Sequence, residues 1–425
     1  MTGPARDRTE SGFKERTRVH AARDALREAI SALEPASADE RTVRLELAAA
    51  DGRVLAEGVT AARAVPHYDR AAMDGYAVRA ADTFGASRRS PAVLEAAADG
   101  RGRVGDGTAI RVHTGSELPE GADAVVMIEH VEERSVGDRS ELEVHDAVGV
   151  GENVAPTGED VEAGQRLYEA GHRLRPSDLG LLRSVGLERV RVRERPTVGV
   201  VPTGEELVER DPAPGEVVET NALTVSRLVE RWGGRATYRE IVTDDPEALR
   251  VAIQRDLTKD VVVTTGGSSV GERDLLPEVI DGLGEVLVHG VALKPGHPVC
   301  LGLVEETPVL ALPGYPVACI VNAVQFLRPL LAWLEGTTPT PHASLEARLE
   351  RKIPSEPGTR TFARVRLEER DEDGMRERVA VPTRASGAGV LSSVALADGW
   401  VVVEESREGI PAGETVCVEN WEYSA

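Results

Sequence analysis

Between residues 15 and 34 the apolar residues Val19, Ala22, Leu26, Ile30 and Leu33 recur at spacings of three and four, the stripe of an amphipathic helix. A second helical stretch, PSDLGLLRSVGLERV at 176–190, opens with Pro176 and Ser177 in helix-start positions, and is expected to rejoin the first. From about 58 to 156 the text changes to short apolar runs such as AVVMIEHV, cut by Gly, Asp and Pro clusters, which predicts strands and turns. At 195–336 strand-like runs (TVGVVPTG, DVVVTTGG, EVLVHGVAL, PVLALPG) alternate with helical ones at 221–233, 246–257, 274–282 and 315–334. That alternation predicts a mostly parallel sheet with covering helices. After a TTPTP linker, residues 344–425 return to β-like runs (TFARVRL, RVAVPT, GWVVVEE, ETVCVEN). The chain therefore reads as multidomain α/β plus β. It is expected to have a discontinuous helical domain I at 15–57 and 157–194, a β-rich domain II inserted at 58–156, a central α/β domain III at 195–336 and a small β domain IV at 337–425.

A length of 425 residues fits that division, since domains commonly run to roughly 100–200 residues. The net charge of −22 disfavours nucleic acid and anionic membranes as partners. Apolar runs reach about a dozen residues where a membrane span needs about 20, and the charged N-terminus lacks the apolar core of a signal peptide. A cytoplasmic location is expected. Cys300, Cys319 and Cys417 are far apart and read as unpaired thiols. Only four of the 50 basic residues are Lys, at 14, 259, 294 and 352, so Lys294 stands out by rarity. Many carboxylates with few Lys fit high-salt adaptation, though a GC-rich genome would also exchange Lys for Arg.

Candidate chemistry gathers where strands end, because ligands of open α/β sheets bind beyond the carboxyl ends of the strands. TTGGSSVGERD at 264–274 follows a strand and precedes a helix. Gly266, Gly267, Ser268, Ser269 and Asp274 could form a structural turn or cradle a phosphate or pterin, and the polar groups favour the cradle. VPTGEEL sets Glu205 and Glu206 over the same rim, and TDDP brings Asp244. These acids are either solvated helix-start residues or, if they share a pocket, ligands for Mg2+. LKPGHP places Lys294 and His297 on a tight turn as two candidate cations for an oxyanion. HYDRAAMDGYAV at 67–78, with Asp69 and Asp74, is explained by no periodicity.

These strings, together with RVHTGSELPEGADAVVMIE and the GED of 158–160, occur in the order found in molybdenum insertases of the MoeA and gephyrin E-domain type. The chain resembles that family from about residue 15 to 420. The resemblance implies a transferase that inserts molybdenum from molybdate into adenylylated molybdopterin, using Mg2+ and releasing AMP. It also implies an elongated homodimer whose MogA/MoaB-like third domain holds the pterin nucleotide and whose cleft faces the second subunit. The molybdopterin adenylyltransferase becomes a candidate partner. Residue by residue, Asp74 matches the functional acid of MDGYA and Thr114 the Thr of the next TG turn. Asp160, Glu205 or Glu206, Asp244 and Asp274 match acids of the cleft, and Lys294 the first Lys of a KPGKP turn. Arg364 and Ser386 match the Arg and Ser that meet molybdate.

Two departures follow. His297 replaces the second Lys of that turn, and Ala155, Pro156 and Thr157 stand where many members carry Arg. A His is fully charged only below its ordinary pKa of about 6.5 unless an acid raises it, so oxyanion binding becomes pH-sensitive. In the implied reaction Lys294, Arg364 and Mg2+ would offset the repulsion between molybdate and an anionic pterin nucleotide. A tungsten insertase is the alternative, since tungstate has nearly the same size and charge. A gephyrin-like scaffold is a weaker one.

Overall fold

The computed structural model describes residues 16–33, 41–97, 102–137, 139–267, 275–372, 375–384 and 387–422. They fall into two compact units, one of Val43–Val192 and the other made by the chain before and after it.

The Val43–Val192 unit carries a six-stranded sheet in the order Ala124–Met127, Gly75–Val78, Thr108–Val112, Ser87–Ala96, Arg139–Asp146 and Val131–Val136. The sequence RSELEVHD shows why: its alternate positions Leu142 and Val144 are buried, beside Tyr76, Val78 and Val126. A second cluster, including Leu47, Leu55, Leu174 and Val192, packs around the helix Pro176–Ser184 through Leu182. That helix starts at a proline, and the Asp178 carboxylate accepts the Arg175 backbone N–H at 2.9 Å.

The other unit is built on a second six-stranded sheet, ordered Arg235–Tyr238, Thr197–Pro202, Val261–Thr265, Thr307–Leu312, Cys300–Val304 and Glu285–His289. The first four strands are mutually parallel, while Cys300–Val304 pairs antiparallel with both neighbours. Both faces are covered, which is why the strands read as unbroken apolar runs. Val261, Val263 and Leu310 join one core with Val225, Leu228 and Phe326 of the helices Asn221–Arg231 and Pro316–Leu334. Val262 and Val309 join the opposite core with Leu249, Ile253 and Ile280 of Pro246–Arg255 and Leu275–Leu283. Pro316–Leu334 is long and apolar enough to cross a membrane, but 83% of its most apolar window is buried inside the unit.

The stripe at 15–34 forms the helix Val19–Ala32 of the α/β unit, while 176–190 belongs to the Val43–Val192 unit. Val19, Ala22 and Leu26 pack into the α/β core with Val291 and Phe326. Backbone bonds fix that choice: Thr17 donates to the Gly290 carbonyl at 3.0 Å and accepts from Ala292 at 2.8 Å. An apolar stripe requires a core to cover, and the sequence does not say which core.

The last strands close on themselves. Arg360–Glu372 pairs with Met375–Arg384 and with Gly399–Val403, and the circuit is completed through Thr415–Asn420 and Ala343–Leu349. Closure removes free strand edges, and Leu349, Ala363, Val365, Ala380 and Val418 fill the interior. Leu293–Lys294 adds to this sheet beside Arg360 and Thr361, which joins the LKPGHP turn to the barrel.

Candidate active site

In the Val43–Val192 unit the unexplained string at 67–78 is threaded between two other segments. Ala71 exchanges backbone bonds with Gly115 and Ser116, and Ala71 and Arg70 pair with Val154 and Ala155. Gly75 is required at the turn into its strand, because a Cβ there would lie 2.0 Å from the Val126 carbonyl oxygen. The strand thus lies hard against its neighbour, and Asp74 is presented at its mouth. The Oδ1 of Asp74 accepts the Thr114 backbone N–H at 2.7 Å and its hydroxyl at 2.8 Å. Those two donors hold the carboxyl below its usual range, helped slightly by His113 and Arg111.

Asp69 repeats the device with the other TG turn. Its Oδ1 accepts the Thr157 backbone N–H and hydroxyl, both at 2.7 Å, and its carboxyl is lowered for the same reason. Asp160 follows three residues later, exposed, with its backbone N–H on the Val65 carbonyl at 3.0 Å. Asp69 and Asp74 are therefore fixed anions, poor as proton acceptors near neutral pH and suited to positioning or charge stabilisation.

In the α/β unit three loops converge at the carboxyl ends of the parallel strands. A Cβ on Gly266, at φ +129°, would lie 2.1 Å from the Thr203 carbonyl, and one on Gly314 would lie 3.5 Å from Gly266 Cα. The hydroxyls of Thr203, Thr264 and Thr265 are buried without hydrogen-bond partners among the described residues. Asn221 donates to the Gly314 carbonyl at 2.7 Å, tying the start of its helix to the same rim.

Glu205, Glu206 and Asp244 are brought together there. Burial and then the charges of Glu206 and Glu205 raise the Asp244 carboxyl, which a hydrogen bond from the Glu205 backbone only partly offsets. Asp244 Oδ1 is buried and has no hydrogen-bond partner among the described residues. An acid cluster with one carboxylate oxygen left unsatisfied fits a hard divalent cation such as Mg2+. The ligand oxygens do not converge to within 4.8 Å of one another. Among the described residues the trio that does, Glu132, Glu143 and His145, already has a cation, since Arg134 lies 2.7 Å from Glu143.

The remaining candidates stand elsewhere. Lys294 Nζ lies 3.1 Å from Glu356 Oε1, so its charge is partly answered. Burial and the nearby Arg16 lower the His297 imidazole, which leaves it mostly neutral at pH 7 and weakens the second cation the turn was expected to supply. Arg364 is fully enclosed, with its guanidinium 3.3 Å from the carbonyls of Phe362 and Gly387, and burial lowers its pKa. Its position on a barrel strand opposite Trp400 accounts for the enclosure. Ser268, Ser269, Asp274 and Ser386 lie outside the described residues.

Three family models match in succession: the MoeA N-terminal region (domain I and II) over residues 17–186, a molybdopterin binding domain over 199–333, and the MoeA C-terminal region (domain IV) over 346–421. A molybdopterin molybdenumtransferase of Bacillus subtilis is 33% identical, over 86% of each chain. The chain belongs to the MoeA family. Another MoeA-family relative, a molybdopterin molybdenumtransferase of Haemophilus influenzae, is 32% identical over 90% of this chain and 95% of its own. A crystal structure of a molybdopterin biosynthesis MoeA protein from Pyrococcus horikoshii OT3 superposes with a TM-score of 0.78 at 31% identity, covering 95% and 99% of the two chains.

Within this MoeA-family chain, sequence reasoning missed the Asp69–Thr157 pair as a partner to Asp74–Thr114. The signal was present: two aspartates five residues apart in one string, and two TG dipeptides later in the same unit. The role of Asn221 had no signal, because its partner is a backbone carbonyl 93 residues away.

Proposed function

We propose that the chain inserts molybdenum from molybdate into adenylylated molybdopterin, forming molybdenum cofactor and releasing AMP. The coarser statement rests on the family: the chain is a transferase of molybdenum cofactor biosynthesis. The finer one is supported chiefly by the acid cluster of Glu205, Glu206 and Asp244 beside the Gly266 rim, where one buried carboxylate oxygen lacks a partner among the described residues.

In this reading the backbone at Gly266 and Gly267, with the orphaned Thr hydroxyls, receives the pterin nucleotide. Glu205, Glu206 and Asp244 would hold Mg2+ beside the substrate phosphates. Mg2+, when bound, neutralises phosphate charge and polarises the anhydride. Cleavage of that P–O–P bond consumes one water, whose oxygen ends on one of the two phosphates. Lys294 offers a compact cation to molybdate, a tetrahedral dianion, in exchange for its contact with Glu356. Asp74, held as an anion by the two Thr114 donors, is suited to positioning a group rather than to accepting a proton, and Asp160 is a second exposed acid of the same unit.

Asp244→Asn tests this assignment, because it keeps shape and removes charge. It should raise the Mg2+ concentration needed for half-maximal insertion by about tenfold or more, and Mg2+ binding to the full chain by calorimetry should weaken in parallel. An unchanged Mg2+ requirement in a folded variant would return the acids to the status of a solvated rim.

A further inference from the structure

The helix Pro316–Leu334 is interrupted by a π turn at Ala323–Leu327, where Arg328 donates its backbone N–H to the Ala323 carbonyl five residues back. Such turns are uncommon and re-aim the groups beside them, frequently at functional sites. Here the turn meets the helix Val19–Ala32. Arg23 Nε donates to the Gln325 carbonyl at 2.8 Å, and its Nη2 donates to the Gln325 side chain. Arg328 comes next in the chain. Its Nη1 lies 3.3 Å from His342 Nε2, and its Nη2 donates to the Thr340 carbonyl.

These groups line one cavity of about 460 Å3, shared with Arg360, Trp333 and Phe362. Three guanidiniums therefore face one space in a chain whose net charge is −22. Arg360 is answered by both oxygens of Glu404, at 2.5 and 2.6 Å. Arg23 and Arg328 have no carboxylate within 4.0 Å among the described residues. Glu419 stands on the wall, but its Oε2 accepts the Trp400 indole N–H at 3.0 Å. Burial, then Arg360 and Arg328, lower Arg23, which the more distant charges of Glu419 and Asp24 only partly offset, and Glu419 likewise offsets only part of the burial of Arg328. His342 is held down to about 4 by burial, Arg328 and Arg23, and so adds no charge at neutral pH.

Half-buried cations that repel one another and bond only to neutral groups are costly, and a planar guanidinium matches the oxygens of a tetrahedral anion. We infer that this cavity is a binding site, separate from the Lys294 turn, for a phosphate-class dianion, either inorganic phosphate or the monophosphate of a small organic molecule, held by Arg23 and Arg328 with Arg360 at its edge. The volume lies within the range of about 300–1,000 Å3 typical of small-molecule pockets and leaves room beside Trp333 for an organic group.

The test is calorimetric titration of the full chain with inorganic phosphate and, separately, ribose 5-phosphate, at ionic strength held constant with chloride. Saturable binding is expected. Arg23→Gln and Arg328→Gln should each weaken it by about tenfold or more, the usual loss for one charge-assisted contact. Lys294→Ala should leave it intact. Tighter binding of ribose 5-phosphate would identify the organic ligand, and equal binding the phosphate group alone. Should Arg328→Gln fail to fold, Arg23→Gln, on a half-buried helix position, carries the comparison. No saturable binding at about 10 mM of either anion, or binding lost in Lys294→Ala and kept in both Arg variants, would overturn the inference.

Discussion

Lys294 shows how one residue can be singled out by sequence and yet need the structure to be understood. Its rarity and its Gly-Pro turn marked it, while its contact with Glu356 at 3.1 Å came only from the barrel strand that the turn joins. The account predicts that Lys294→Ala raises the molybdate concentration needed for insertion by roughly tenfold to a hundredfold, the cost of one charge-assisted contact, with binding of the adenylylated pterin little changed. Glu356→Gln frees the ammonium and should lower the molybdate requirement. Steady-state insertion rates across a molybdate series would check both, and poor pterin retention in Lys294→Ala would move the turn to the nucleotide site. The neighbouring His297 carries a second lesson. A string cannot show that burial and Arg16 lower the imidazole, and the sign of its shift was therefore not legible. Asp74 with Thr114 was legible as a pair of positions, but the two bonds that keep Asp74 an anion were not.

At the scale of elements, alternation along the strands carried most of the information. Val261, Val262 and Val263 read as one apolar run, and that run is what a sheet covered on both faces requires. Partners across long separations were not legible: the helix Val19–Ala32 could have covered any core, and nothing local announces that Arg360–Glu372 closes a barrel with Gly399–Val403. Gly75 joins the two levels. Because a Cβ would meet the Val126 carbonyl at 2.0 Å, Gly75→Ala must push two strands apart. A loss of about 3 kcal/mol, at the upper end of ordinary overpacking, is expected, seen as an earlier first transition in thermal unfolding of the full chain. Unchanged melting would show that the strand pair is looser than its contacts indicate.

At the scale of the whole molecule, the family likeness extends from residue 17 to 421, and the homodimer expected from the sequence resemblance is directly testable. Sedimentation at micromolar concentration should give about twice the chain mass of 45.4 kDa, whereas a fully active monomer would contradict a cleft completed by a second copy. The account as a whole rests on the reaction. The purified chain, given adenylylated molybdopterin, molybdate and Mg2+, should release AMP in step with formation of a cofactor able to reconstitute an apo-molybdoenzyme, and both should stop when molybdate is withheld. Release of AMP with no active cofactor formed, or cofactor formed equally well without the chain, would contradict it.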